Sequence, residues 1–336
     1  MRKRELWLSK NQPVVLLLLI LFSGVIWALQ WFFPPLSYQA IHHMPGLLMP
    51  GNQGFDVSHT VAVLLGYPLY VLSLFLVYKI NSRFQITPEG NYLPAWIYLF
   101  ITSTDYRFIH FSPDLISANI FLLVIFLFFQ TTNKRRNYKT LFYCGFLLFA
   151  ASLLNALNLV FMVYILFGLF MTKTFNWRES GNFFLGIITA GALTMGVIYL
   201  ADKTDVIHQM PGFRQIFPGT SVPDYKALLQ DFILGLFLIT SFLFLVSRFG
   251  FLNINVRRYF RLIILLLVFS LPLYFFSGME IMFRFYLAVP IGYILTHFLI
   301  NTKQRFLAGS FLWFMFIMMI VSEIMAVINN LSMTSA

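Results

Sequence analysis

Runs of apolar residues divide the chain into eleven segments: 13–33, 61–80, 92–104, 115–130, 138–154, 158–172, 183–200, 228–247, 259–276, 282–300 and 306–328. None shows the strict alternation of a half-buried strand. Most approach the ~20 residues that a helix needs to cross a bilayer. In hydrocarbon, backbone polar groups can be satisfied only in helices or closed barrels. The pattern therefore predicts an all-α, polytopic transmembrane protein of about eleven spans, forming one integral membrane domain over residues 1–336. Segment 92–104 is short. The long run from 138 to 172 is split at Asn155-Ala156-Leu157-Asn158, because two amides are costly in hydrocarbon and the run is too long for one comfortable span. Arg2-Lys3-Arg4 before the first segment looks like the start of a signal peptide. The apolar run is too long for one and no small-residue cleavage site follows, so it reads as a retained span.

Composition agrees with this reading. Of 336 residues, 59% are hydrophobic and 10% charged, against about 25% charged in soluble domains, and the mean hydropathy is +0.79. A soluble enzyme, a nucleic-acid-binding domain and a disordered chain are excluded. The net charge of +11 is a topology signal. With the N-terminus in the cytoplasm and the C-terminus outside, eighteen of the 23 Lys and Arg residues fall in inner segments, as the positive-inside rule requires. Arg107, Lys203, Arg214, Lys226 and Arg284 remain outside.

The acids have the opposite bias: only Glu5, Glu89 and Glu179 fall inside. Insertion does not demand this. Groups capable of proton or metal chemistry are thus concentrated in the outer loops, 34–60, 103–114 and 201–227. In the first, Asp56 and His59 share a helix face at i, i+3. Asp56 reads either as a general base facing a lipid-linked substrate or as the N-cap of the second span. The second loop packs Asp105, Arg107, His110 and Asp114 into ten residues. Arg107 is suited to a phosphate, and Asp105 or Asp114 to a base or metal ligand. Ser112-Pro113-Asp114 also fits an N-cap, a proline at the first helical position and an acid in the first turn. Arg284, four residues after Glu280, is either an anion ligand or half of an ion pair.

Motifs for nucleotide binding, zinc proteases and serine hydrolases are absent. The single cysteine, Cys144, allows no internal disulfide.

The stretch Ser112-Pro113-Asp114-Leu115-Ile116-Ser117-Ala118-Asn119, the basic Lys134-Arg135-Arg136, and the pair of apolar runs broken at Asn155–Asn158 are similar in layout to the GT-C superfamily of polyprenyl-phosphate-sugar-dependent glycosyltransferases, protein mannosyltransferases among them. Arg284-Phe285-Tyr286-Leu287-Ala288-Val289-Pro290 resembles the Arg-Tyr-containing segment of such enzymes. With Phe175-Asn176-Trp177-Arg178-Glu179, the central stretch also resembles a family of bacterial multi-pass inner-membrane proteins of unassigned function. The GT-C resemblance implies an inverting transfer of sugar from a polyprenyl-phosphate donor to a protein or glycan acceptor, on the outer face of a bacterial inner membrane. It puts the catalytic acid in the first outer loop, hence at Asp56, with Asp105 and Asp114 as further acids. Arg107, Arg284, His59 and His110 would bind substrate. It requires no nucleotide site and fixes no cofactor, and a divalent metal stays open. The alternatives are a non-catalytic membrane subunit of an envelope assembly or secretion complex, and a lipid or small-molecule transporter. Nucleic acid is not an expected partner.

Overall fold

A computed structural model describes residues 13–32, 47, 59–87, 91–103, 111–132, 137–172, 177–202, 225–276, 283–302, 309–321 and 324. Among these there are eleven α-helices and no strand: α1 (Pro13–Phe32), α2 (His59–Phe84), α3 (Leu93–Thr102), α4 (Pro113–Thr131), α5 (Tyr138–Leu154), α6 (Val160–Met171), α7 (Trp177–Leu200), α8 (Tyr225–Arg248), α9 (Ile254–Phe276), α10 (Phe283–Asn301) and α11 (Gly309–Val321). Each of the eleven apolar segments coincides with one of them. Five helical stretches are long and apolar enough to cross a membrane: Thr60–Phe84, Pro113–Thr131, Trp177–Leu200, Phe232–Phe251 and Ile254–Phe275.

Contacts between named residues show that successive helices reverse direction. Trp27 Nε1 donates to the Val63 carbonyl and Tyr67 to that of Ile20, so α1 and α2 run oppositely. Tyr78 stacks on Tyr92 with ring centroids 4.1 Å apart, and the Tyr70 and Thr102 hydroxyls share a 2.6 Å hydrogen bond. Helix α3 therefore climbs back along α2. Its ten residues, all buried, span only about 15 Å, half a hydrocarbon core. The return ends with Phe111, whose backbone passes against Gly66, about two turns in from the start of α2. Helix α4 then runs parallel to α2, with Asn119 bonded to the Leu69 carbonyl and Phe129 against Phe84.

The split at 155–158 is a tight helical hairpin. A 3₁₀ turn, Ala156–Leu159, joins α5 to α6, and Phe161 and Tyr164 pack on Phe121 and Phe128 of α4. Helices α5 and α7 approach backbone to backbone. A Cβ at Gly145 would overlap the Phe183 carbonyl oxygen, and one at Gly186 the Phe142 carbonyl oxygen. Small residues at such crossings are how apolar helices gain dispersion contact without a hydrophobic driving force. Cys144, beside Gly145 on α5, is buried against α4, its thiol 3.9 Å from the Val124 carbonyl.

Helix α10 is the central post, packed on α3, α8 and α9. Tyr293 donates to the Val77 carbonyl at 2.8 Å, and His297 lies against Phe260 of α9 and Phe244 of α8. The outer surface is apolar. Phe232, Leu236, Ile239, Leu243 and Val246 of α8 form an exposed stripe at helical spacing, and α7 exposes Leu185, Ile188, Leu193 and Val197. Continuous apolar surface on two long helices is what a lipid solvent tolerates and water does not.

Candidate functional site: a polar junction between three helix ends

At one end of the bundle the start of α4, the α5–α6 turn and the start of α10 meet around buried polar groups. Local sequence builds the α4 end. Ser112 is extended (φ −141°, ψ 155°), its hydroxyl accepts from Leu115 N at 3.2 Å, and Pro113 and Asp114 open the helix. This is the capping arrangement expected from Ser-Pro-Asp. Asp114 does more than face the helix dipole. It is only 1% exposed, and Asn155 Nδ2 donates to its Oδ1 at 2.8 Å. Asn155 in turn accepts from Leu157 N at 3.1 Å, which holds the 3₁₀ turn shut.

One helical turn further in, the same pairing repeats. Asn158 Nδ2 donates to Ser117 Oγ at 2.6 Å. Ser117 donates to the Ala151 carbonyl at 3.2 Å, and its oxygen lies 3.2 Å from the Tyr286 hydroxyl of α10. Asp114 and Ser117 are three apart, as are Asn155 and Asn158, so each pair presents one face of its turn to the other. Asn158 Oδ1 is buried without a hydrogen-bond partner among the described residues. A floor of aromatic rings lies beneath: Phe121, Phe161 and Tyr286 are within 4.3–5.3 Å of each other, centroid to centroid.

Arg284 occupies the first turn of α10, two residues before Tyr286, and is 5% exposed. Two residues of the sequence-derived site, Asp114 and Arg284, thus lie in the opening turns of the helices that meet here. His59 begins α2, with its side chain outside the described residues. Asp56, Asp105, Arg107 and His110 lie outside the described residues altogether. Leu47, in the 34–60 segment, reaches the junction, since its N donates to the Ser152 carbonyl at the end of α5 at 3.2 Å. Among the described residues no three His, Cys, Asp or Glu side chains are grouped to hold a metal ion.

Sequence reasoning singled out Asn155 and Asn158 as a break but not as partners of Asp114 and Ser117. The available signal was the matched i, i+3 spacing of polar residues inside two apolar helices. Ser117 and Tyr286 are 169 positions apart, and no local pattern pairs them.

The profile of a protein family described as a family of unknown function, DUF6427, matches residues 49–330. The chain belongs to DUF6427. The matched stretch takes in α2 through α11, and with them every helix of the junction. No curated protein and no solved structure matches this DUF6427 member.

Proposed function

We propose that this DUF6427 protein is a polytopic enzyme of a bacterial inner membrane that transfers a sugar from a polyprenyl-phosphate donor to an acceptor on the outer face. In this reading the eleven helices are eleven passes, with the N-terminus in the cytoplasm and the C-terminus outside. The alternating helix directions support it, as does the clustering of basic residues at the ends opposite the junction. One observation carries the catalytic part: the three stretches that resemble GT-C enzymes, at 112–119, 155–158 and 284–290, are far apart in sequence and meet through Asp114, Asn155, Ser117, Asn158 and Tyr286.

In the proposed reaction the acceptor hydroxyl oxygen bonds to the anomeric carbon. Its proton passes to the Asp56 carboxylate. The bond from that carbon to the phosphate oxygen breaks, and its electron pair leaves with the polyprenyl phosphate. Arg284 and Arg107 compensate the charge on the departing phosphate. Asp114, clamped by Asn155, is a positioning residue that fixes the hairpin against α4. Native mass spectrometry of the full-length protein tests the binding step. Polyprenyl phosphate should be retained by the native protein and by Lys139→Gln, a change at an exposed residue of α5 away from both sites, and lost from a folded Arg284→Gln. Failure of the native protein to retain it sinks the proposal.

A second reading, a non-catalytic membrane subunit of an envelope complex, draws on the bare apolar faces of α7 and α8 and on the burial of Asp114. It requires a stoichiometric partner on extraction in mild detergent, which the enzyme reading does not.

A further inference from the structure

At the opposite end of the bundle a cavity of about 540 Å³ opens between the end of α2, the α8–α9 link and the end of α10. Polar groups on its wall include Arg83, Gln85, Asn253, Asn255, His297 and Asn301, and no carboxylate is among the described residues that line it. Three observations point to what it holds.

First, α9 begins in this wall. Arg257 N donates to the Asn253 carbonyl at 2.9 Å, so Asn253 is the cap. The amides of the first turn, where Asn255 and Val256 line the cavity, have no intrahelical acceptor. No acid in that turn competes for them. A helix start with free N–H groups and a positive dipole end is an anion site. Second, His297 lines the cavity and is only 3% exposed, its ring held between Phe244 and Phe260, and a buried imidazole is normally hydrogen-bonded. Third, the surrounding charge has one sign. Arg83 lines the cavity, Arg248 acts electrostatically on His297, and Arg257, Arg258 and Arg261 fill the first two turns of α9. Gln85, just past the end of α2, is left-handed at φ 46°, a common helix stop.

We infer that this cavity binds a phosphate-bearing anion, with the start of α9 and Arg83 as its principal ligands and His297 beneath. The volume is in the range of small-molecule sites. Ile86, Leu252 and Val256 supply an apolar side, so either an anionic lipid headgroup or a soluble phosphomonoester has the required chemistry. The inference is independent of the transferase reading, which concerns the other end of the molecule.

The test uses the full-length protein in phosphatidylcholine nanodiscs with two probes. Phosphatidic acid is doped into the bilayer and scored by native mass spectrometry, and glycerol 3-phosphate is titrated by calorimetry. Binding of phosphatidic acid alone supports a lipid ligand. Binding of glycerol 3-phosphate, alone or as well, supports a soluble one. Either should weaken at least tenfold in Arg83→Gln and in Asn255→Asp. Both side chains are exposed, so these variants should unfold at the native temperature. Absence of binding by both probes overturns the inference, as does binding that stays within twofold of native in both variants.

Discussion

Asn155 reaches across 41 positions to donate a 2.8 Å hydrogen bond to Asp114. That bond ties the turn of the α5–α6 hairpin to the first turn of α4. Both groups are buried, so neither has water as an alternative partner. Truncating one partner deprives the other of this bond. Asp114→Ala and Asn155→Ala should each cost about 1–3 kcal/mol. Measured side-chain couplings inside membranes average about 0.6 kcal/mol and reach about 1.7. A double-mutant cycle on thermal unfolding should place this pair in the upper part of that range, and a coupling near zero would mean that the bond does not form.

The crossing of α5 and α7 gives an independent check of packing. Gly186→Ala drives a methyl group into the Phe142 carbonyl, and overpacking of this kind costs about 1–3 kcal/mol. Gly181→Ala and Gly196→Ala, on the same helix with nothing within 4 Å of the new atom, should be neutral or slightly stabilising. Unfolding temperatures of the three variants should separate accordingly.

Cys144 is fully buried between α4 and α5. A maleimide should leave the folded protein unmodified and label one thiol after denaturation. Rapid labelling in the native state would contradict the α4–α5 packing.

The proposed sidedness is open to the same chemistry. In a Cys144→Ala background, Arg135→Cys should react only with reagents on the cytoplasmic side, and Lys203→Cys only with those outside. The reverse pattern would invert the molecule and place the polar junction in the cytoplasm.

Much of this architecture was legible because its signals are local. Apolar run length located all eleven helices, and two amides located the hairpin at Asn155–Asn158. The cap at Ser112 followed from three consecutive residues. Other features depend on distance in sequence. The shortness of α3 reflects its burial between α2 and α10, and a ten-residue apolar helix inside protein reads much like the middle of a span. The partnership of Ser117 with Tyr286 has no local trace. The cavity at Arg83 and His297 is assembled from the ends of four helices, and its basic residues read along the chain only as a topology signal.

The most direct test of the transferase reading is a cryo-EM map of the protein in nanodiscs containing polyprenyl phosphate, examined where the 34–60 loop meets the polar junction. The account predicts that the Asp56 carboxylate and the Arg284 guanidinium converge on a lipid-filled opening above Tyr286, with the phosphate at Arg284. A map in which Asp56 merely caps α2 and no opening reaches Arg284 would contradict it.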